Sequence, residues 1–175
     1  MKPPRLFFSL WPSPEQIEQL ADLQFRFSQP FGRLVDPENF HITLLFLGEI
    51  ELTQVDCMLS HLDQYDAAPF SCTLDQTGYF SKQQLFWVGP KKVPQELGAL
   101  HKLLRNNALR CGLSKLSQRY VPHVSLIRKC EGIVADPEFE PIEWQVDEFH
   151  LVESTLYNTG AQYRIVDTFP LAMNR

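Results

Sequence analysis

The sequence lacks any long hydrophobic run, which argues against a membrane-spanning helix. A helical span needs about 20 consecutive apolar residues, and no stretch of the 175-residue chain comes near that length. The apolar run at residues 6–8 is short, Pro12 and Pro14 follow it, and no small-residue cleavage site comes after them. We therefore expect no signal peptide and a cytoplasmic location.

Cysteine is scarce and shows no motif. The four cysteines contain no C-x-x-C pair, which excludes the common zinc-ribbon and thioredoxin-like motifs. Four cysteines are enough for two disulfides, but nothing else in the chain suggests secretion. We expect all four to be reduced and mostly structural: Cys57, Cys72, Cys111 and Cys130.

Familiar hydrolase motifs are also missing. The chain contains no H-x-H, H-E-x-x-H or G-x-S-x-G string, so the usual zinc-peptidase and serine-hydrolase signatures do not apply. A zinc site remains a rival hypothesis because two histidines are common zinc ligands, although the Thr and Ser residues near His41 and His123 are poor third ligands.

Acidic residues outnumber basic ones, but the basic residues are unevenly placed. The formal charge of −5 argues against a general nucleic-acid coat protein. Residues 82–129 hold ten of the 16 Lys and Arg residues and one acid, Glu96. This distribution indicates either one face that attracts anions or a basic solvated helix, and charge alone does not separate the two.

Apolar spacing predicts a mixture of strands and helices. Helices should begin at Ser13 and Pro94, ending at residues 29–32 and near Gly112, and a third should cover residues 51–65. The last two predicted strands should form a hairpin around residues 158–160. Short apolar runs predict strands at residues 6–10, 40–47, 70–74, 85–88, 120–127, 149–156 and 163–169.

The order of these elements repeats. A strand, a helix and a strand that contains a histidine occupy residues 6–47, and the same order returns in residues 85–127. The repeat predicts two similar lobes related by a pseudo-twofold axis, each contributing one histidine strand. No linker separates the halves, so we expect one bilobal domain of the α+β class over residues 1–175.

Two four-residue strings stand out. H-I-T-L at residues 41–44 and H-V-S-L at residues 123–126 both read His, apolar, hydroxyl, apolar. Alternate residues of a strand share a face, so each strand should present an imidazole beside a hydroxyl and bury two aliphatic side chains behind them. One such string is common by chance, whereas two on equivalent strands of a repeat indicate a paired site.

This pair suits the opening of a phosphodiester. One imidazole can take the proton of an attacking water while the other gives a proton to the leaving oxygen, and histidine does both near neutral pH. Hydroxyl groups can donate hydrogen bonds to the non-bridging phosphate oxygens. We therefore predict His41 and His123 as an acid/base pair, with Thr43 and Ser125 binding the phosphate.

On these motifs the chain resembles the two-histidine (2H) phosphoesterase superfamily, whose signature is a pair of H-x-[ST]-x strings. Within it, the sequence is similar to the bacterial RNA 2′,3′-cyclic phosphodiesterases, historically called 2′-5′ RNA ligases. The supporting strings are R-L-F-F at residues 5–8, N-F-H-I-T-L-L-F-L-G at residues 39–48 and P-H-V-S-L-I-R at residues 122–128. Ser125 stands where the family more often has Thr, and it keeps the hydroxyl.

The resemblance implies a fold, a reaction and residue roles. The fold would be two lobes, each an antiparallel sheet backed by helices, around a central cleft. His41 would match the proton donor and His123 the proton acceptor, and the direction of this assignment rests on the family alone. RNA ending in a 2′,3′-cyclic phosphate would be hydrolysed to a 2′-phosphomonoester without a metal or nucleotide cofactor. The reverse sense would join a 5′-hydroxyl to the cyclic phosphate in a 2′-5′ linkage.

Residues around the motifs are weaker candidates for RNA contacts. Arg128 can bind phosphate or the RNA backbone. Among aromatic residues that can stack on a terminal base we favour Tyr120 and Phe40 over Tyr79, Phe80 and Trp87. Three lysines suit either distal phosphates or plain surface positions: Lys82, Lys91 and Lys92. Three histidines lack the strand-and-hydroxyl context and receive no role: His61, His101 and His150.

Other functions remain open. The same site would suit small cyclic phosphates or 2′-5′ oligonucleotides, and a non-catalytic module could hold RNA ends without turning them over. The intact histidine and hydroxyl in both motifs favour an enzyme, because simple phosphate binding is better served by Arg and Lys. We expect a monomer with no protein partner and no membrane association.

Overall fold

The structure is a computed structural model, and it describes residues 2–27, 32–63, 65–131 and 138–172. Three helices lie in these ranges, α1 (Pro14–Arg26), α2 (Leu52–Ser60) and α3 (Gln95–Arg110), together with one turn of 3-10 helix at Pro37–Asn39. None of the described helices is long and apolar enough to cross a membrane. The strands are β1 (Arg5–Leu10), β2 (Arg33–Leu34), β3 (Ile42–Glu49), β4 (Phe70–Leu74), β5 (Gln76–Phe80), β6 (Leu85–Gly89), β7 (Val124–Arg128), β8 (Ile142–Val146), β9 (Glu148–Tyr157) and β10 (Gly160–Pro170).

The starts of the first and third helices follow the sequence signals. Ser13 caps α1, since its hydroxyl accepts a hydrogen bond from the backbone N–H of Gln16 while the Gln16 side chain accepts one from Ser13, which is a capping box. Pro94 caps α3, which ends just before Cys111 and Gly112. α1 ends at Arg26 with Phe27 as its C-cap, before the predicted end at residues 29–32, of which residues 29–31 lie outside the described ranges.

The second helix is shorter than predicted. It ends at Ser60, whereas the spacing favoured a helix to residue 65. The chain beyond it makes tertiary contacts with the C-terminal strand instead: the Tyr65 hydroxyl donates to the carbonyl of Pro170, and Ala67 pairs with Ala172. These distant partners override the local helical pattern.

The main sheet confirms the predicted repeat. Its strands run in the order β10-β9-β1-β3-β7-β6-β5, with β2 beside β7, while β4 and β8 form a separate pair. All of these pairings are antiparallel. β1 and β3 precede and follow α1 in the chain, and they pair with each other. In the same way β6 and β7 precede and follow α3, and they pair with each other. The α+β prediction of two antiparallel lobes backed by helices is therefore confirmed, whereas β2, β5 and β8 were not predicted.

The two lobes meet at a narrow junction in this sheet. β3 and β7 share a single residue pair, Ile42 with Val124, and neither residue is exposed to solvent. These are the apolar residues that directly follow the two motif histidines. The junction therefore places both motifs at the centre of the molecule.

Helices cross from one lobe to the other. α1 follows β1 but packs on β7 and β8, whereas α3 lies between β6 and β7 in sequence but packs on β3. Residues from both halves, such as Phe8, Phe40, Leu104 and Trp144, belong to one apolar cluster. The prediction of a single domain over residues 1–175 stays a prediction.

The expectation that all four cysteines are reduced is wrong for two of them. Cys57 in α2 and Cys111 after α3 form a disulfide with a Cα–Cα distance of 5.8 Å, whereas Cys72 and Cys130 are buried free thiols. The two bonded residues are 54 positions apart, so sequence spacing gave no sign that the fold brings α2 next to the end of α3.

Candidate active site

The two motifs line one open pocket of about 1100 Å³. His41 and Thr43 enter it from the β3 side, and His123 and Ser125 from the β7 side. Arg128, at the end of β7, lines the same pocket. The structure thus brings together these five residues that the sequence singled out, from two segments about 80 positions apart.

Both histidines lie one residue before a strand rather than within it. β3 begins at Ile42 and β7 at Val124, although the apolar pattern predicted strands from residues 40 and 120. Because Ile42 and Val124 pair in antiparallel strands, His41 lies on the side of Ser125, and Thr43 on the side of His123. As the motifs predicted, the histidine and the hydroxyl residue of each motif still share one face.

The His41 ring is fixed by hydrogen bonds at both nitrogens. Its Nδ1 lies 2.7 Å from the carbonyl oxygen of Asn39, and its Nε2 lies 3.1 Å from the Thr43 hydroxyl oxygen. A carbonyl only accepts, so Nδ1 carries the proton and donates, and the Thr43 hydroxyl donates to the lone pair of Nε2. The Asn39 side chain donates to the carbonyl of Ala161, which ties this segment to β10.

The His123 ring is held in the same way on the other lobe. Its Nδ1 lies 2.7 Å from the carbonyl oxygen of Val121, so Nδ1 again donates and Nε2 carries the lone pair. In both motifs, therefore, the carbonyl two residues before the histidine selects the tautomer. Both imidazoles therefore turn Nε2 toward the pocket.

Aromatic side chains enclose both imidazoles. Trp11 stacks on His41 with ring centres 5.5 Å apart and planes 9° apart, while Phe7 and Tyr163 lie at 5.0 and 5.1 Å. On the other lobe, Phe80 meets His123 edge-on at 5.1 Å, and Trp87 lies at 5.8 Å. Phe80 and Trp87 were predicted only as possible base platforms. The other three neighbours were not singled out, because they come from segments that are distant from His41 in sequence.

Burial makes both histidines hard to protonate in the free protein. Desolvation lowers the pKa of His41 to about 4; the Asn39 carbonyl opposes this, and the charges of His123 and Arg128 add to it. Desolvation also lowers the pKa of His123, with Val121 opposing and Arg128 adding. Both rings are therefore neutral near pH 7 when no anion is bound.

The pocket is cationic. Arg5, Arg33 and Arg128 line it, and Asp36 is the one acidic residue in its described lining. Only Arg128 comes from the basic segment 82–129, so the uneven charge along the sequence did not locate the other two arginines. Lys82, Lys91 and Lys92 lie outside the described lining of this pocket.

The structure contradicts two predicted RNA contacts. Phe40 is 0% exposed, so it offers no face to a base. Tyr120 stacks on His101 with ring centres 4.1 Å apart, and its buried hydroxyl has no hydrogen-bond partner among the described residues. Neither residue lines the pocket, because the apolar core takes both. His101 donates from Nδ1 to the carbonyl of Leu44, a structural role behind β3.

The donor set of the pocket does not resemble a metal site. Among the described residues, the one grouping with metal-ligand spacing is Cys57, His61 and Cys111, and its two sulfurs are bonded to each other. No such grouping in the described part of the chain includes His41 or His123. Thr43 and Ser125 are poor zinc ligands, so the zinc hypothesis gains no support from the side chains around these two histidines.

Comparison with known families assigns the chain. A family model described as the 2′-5′ RNA ligase superfamily matches residues 9–158, which include both histidine motifs. The chain belongs to the 2′-5′ RNA ligase superfamily. Its membership confirms the resemblance that the paired motifs indicated.

Curated members of the superfamily are similar over most of the chain. The RNA 2′,3′-cyclic phosphodiesterase of Thermotoga maritima is 34% identical over 143 residues, with 75% of each chain covered. The protein of that name from Escherichia coli is 29% identical over 164 residues, with 93% of each chain covered. The crystal structure of E. coli LigT in apo form matches 99% of this chain and 100% of that chain, with a TM-score of 0.90 and 28% identity.

Proposed function

We propose that the protein is an RNA 2′,3′-cyclic phosphodiesterase that leaves a 2′-phosphomonoester. One observation carries the proposal: two imidazoles, held at Nδ1 by backbone carbonyls of equivalent segments, offer Nε2 to one arginine-lined pocket. Similar proteins from bacteria and archaea carry this name, and E. coli LigT, with 27% identity and a TM-score of 0.88, has been solved in complex with 3′-AMP.

The proposed reaction is a water attack on the cyclic phosphate. Nε2 of His123 takes a proton from the water while the water oxygen bonds to phosphorus. The bond from phosphorus to O3′ breaks, and O3′ receives the proton from Nε2 of His41. The product carries a 2′-phosphate and a 3′-hydroxyl. This direction, with His41 as donor and His123 as acceptor, follows the family resemblance.

The hydroxyls and one arginine would hold the phosphate during this step. Thr43 and Ser125 lie on the pocket side of their strands and can donate to the non-bridging oxygens as charge moves onto them. Arg128 adds a permanent positive charge. In the free protein Thr43 donates to His41 instead, so substrate binding would transfer that hydroxyl from the imidazole to the phosphate.

The proposed donor must gain its proton from solvent after or as the substrate binds. Burial lowers the pKa of His41 to about 4, so the ring is neutral before the substrate arrives. A phosphate anion at Nε2 favours the charged imidazole and raises its pKa. Because the donor and acceptor must be in opposite protonation states, activity should follow a bell-shaped pH profile.

The remaining expectations also belong to the proposal. The partner would be RNA with a 2′,3′-cyclic phosphate end, bound by a monomer in the cytoplasm. With a 5′-hydroxyl in place of water, the same site would form a 2′-5′ linkage in the reverse sense.

The decisive experiment uses chelator-treated protein and a short RNA that ends in a 2′,3′-cyclic phosphate, with the product resolved as the 2′- or 3′-phosphate. We expect conversion to the 2′-phosphate without added metal. His41→Ala and His123→Ala should each lower turnover by about 10²- to 10⁴-fold, the usual contribution of an acid or base. His61→Ala, at an exposed histidine outside the pocket, is the matched control.

Wild-type turnover in either pocket variant would refute the acid/base roles. If the folded wild-type protein converts no RNA but opens small cyclic phosphates, the substrate class is wrong. Retained RNA-end binding without any turnover would instead support a binding module.

A further inference from the structure

Two arginines from different strands face each other beside the histidines. β2 pairs with β7 so that Arg33 lies directly opposite Arg128, and both line the pocket that contains His41 and His123. Like charges at opposite positions of an antiparallel pair repel each other. Neither guanidinium forms a salt bridge with an acidic residue in the described ranges. An anion bound between or beside them would relieve this repulsion.

The packing around β2 holds this pair together. Gly32 precedes β2, and a Cβ there would lie 2.4 Å from Cγ2 of Ile127, so only glycine allows the close approach to β7. The buried Gln24 side chain donates to the carbonyls of Val35 and Leu126 at 2.7 and 2.8 Å. A glycine and a buried amide thus keep β2 against β7, despite the like charges that the pairing brings together.

The Arg33 guanidinium is also fixed in direction. Its Nη2 donates to the carbonyl of Thr159 in the turn between β9 and β10. The next residue, Gly160, has a φ of +132°, and a Cβ there would lie 2.7 Å from Nη2. Since both turn residues line the pocket, the turn leaves room for the guanidinium and anchors it at the pocket wall.

The two arginines lie opposite each other in the strand pair and line the same pocket. Arg128 lines the pocket together with both histidines, and its charge lowers the pKa of both, so we assign Arg128 to the reacting phosphate. Arg33 lies across the strand pair from it, where opposite Cβ atoms are about 5 Å apart. Long arginine side chains on such a pair can each bind a separate phosphate group.

We propose that Arg33 binds the phosphate on the 5′ side of the terminal nucleoside and so makes the protein selective for RNA ends over nucleoside cyclic phosphates. The inference rests on the proposed function, because it takes the cyclic phosphate to sit between His41 and His123. Its chemistry is a phosphate on the terminal 5′-oxygen, which an RNA strand supplies as a diester and a 5′-phosphorylated nucleotide supplies as a monoester.

Three substrates test the inference: adenosine 2′,3′-cyclic phosphate, the same compound with a 5′-phosphate, and the dinucleotide ApA with a 2′,3′-cyclic phosphate. We expect kcat/KM of the wild-type protein to rise at least about tenfold when the upstream phosphate is added, the size of one charged hydrogen bond. Arg33→Gln should remove most of that gain, and Arg33→Lys should keep part of it. Arg110→Gln, at an exposed arginine outside the pocket, is the control.

Salt dependence gives a second readout on the dinucleotide. Arg33→Gln should make the fall of log kcat/KM with log salt shallower by about 0.7, the value for one phosphate contact on a single strand. A gain of equal size from the 5′-monoester and the dinucleotide would mean that the subsite recognises the upstream phosphate alone, as proposed. A gain confined to the dinucleotide would overturn the proposed contact in favour of the upstream nucleoside.

Two results would overturn the subsite while leaving the enzyme intact. One is a wild-type protein with equal kcat/KM on all three substrates. The other is an Arg33→Gln variant that loses the same factor on all three, since that loss would come from the reacting phosphate or the fold. If the wild-type protein turns over none of them, the proposed function fails. The subsite is then tested alone, by whether Arg33→Gln weakens binding of adenosine 2′,5′-bisphosphate more than that of adenosine 2′-phosphate.

Discussion

At the scale of single residues, the two histidines differ in the hydrogen-bond partner of Nε2. The Thr43 hydroxyl donates to Nε2 of His41, whereas Nε2 of His123 has no protein partner recorded among the described residues. A proton added to His41 must therefore displace a hydrogen bond that stabilises the neutral ring. Together with burial, this arrangement keeps the proposed donor uncharged until an anion arrives.

This difference predicts a ligand-dependent titration. Binding of adenosine 2′-phosphate, the form of the expected product, should raise the pKa of His41 from about 4 toward neutrality. Nitrogen-15 chemical shifts of the imidazoles, followed against pH with and without the ligand, would measure the change. Adenosine without phosphate is the control and should leave the pKa of His41 unchanged. An unchanged His41 titration at saturating ligand would argue that the phosphate does not contact Nε2.

The hydroxyls give a second prediction at this scale. Thr43→Val and Ser125→Ala should each lower kcat by about 10²-fold, because each removes one donor to the developing charge. Steady-state kinetics on the RNA substrate would show the loss mainly in kcat. Ser125→Thr restores the hydroxyl and should recover most of the rate. A variant that changed only KM would indicate ground-state binding instead.

Four of the site residues could be read from the sequence because each motif is local. A histidine and a hydroxyl two positions apart share a face of any strand, so His41, Thr43, His123 and Ser125 needed no tertiary information. Arg33 and Tyr163 reach the pocket through strand pairing and a hairpin turn, which no local pattern records. The prediction that Phe40 and Tyr120 stack on a base was wrong, because an aromatic residue type does not by itself distinguish a core position from a surface position.

At the scale of elements, the disulfide between Cys57 and Cys111 joins α2 to the end of α3. α3 packs on β3, the strand that carries Thr43, and α2 follows β3 in the chain. The cross-link therefore closes a loop of 54 residues that contains β4, β5 and β6. Closing such a loop restricts the unfolded chain more than the folded one.

Removing the cross-link should lower stability. Cys57→Ser with Cys111→Ser should reduce the free energy of unfolding by up to about 4 kcal/mol, the chain-entropy value for a loop of this length. Urea unfolding of the oxidised protein and the double variant would measure the difference. Dithiothreitol should destabilise the wild-type protein and leave the double variant unchanged. Equal stability of all forms would show that the bond does not form in solution.

The elements show which sequence signals are reliable. The local signals at Ser13 and Pro94 predicted the starts of α1 and α3 correctly, because such a signal depends only on neighbouring residues. The predicted end of α2 was wrong because Tyr65 and Ala67 have partners near the C-terminus. β8 carries a regular alternation, with Ile142, Trp144 and Val146 buried and the residues between them exposed, so its signal was present but not used.

At the scale of the whole molecule, the neutral state of the half-buried His41 ring contributes to the response to acid. The pKa of His41 falls from 6.5 in the unfolded chain to about 4 in the folded one, so between these values the unfolded chain binds more protons. The contribution of the neutral His41 ring to stability is therefore fully present above about pH 6.5 and is lost as the pH falls toward 4. Since a pKa difference of one unit corresponds to 1.36 kcal/mol, the loss from this partly exposed ring is at most about 3 kcal/mol.

This acid response can be measured. Urea unfolding at a series of pH values should give a free energy that declines below pH 6.5, and His41→Gln should flatten that decline. His61→Gln, at an exposed ring outside the pocket, is the control and should keep the wild-type slope. If His41→Gln kept the full slope, other groups would be responsible for the acid sensitivity.

The interleaving of the halves has a consequence for synthesis on the ribosome. β1 lies between β3 and β9, and α1 packs on β7 and β8, so the first elements made need partners made last. Until residues 124–157 emerge, the edge of β1 that pairs with β9 is open, and α1 lacks the strands β7 and β8 on which it packs. The nascent chain therefore carries an open strand edge for most of its translation, a surface that attracts chaperones or other nascent chains.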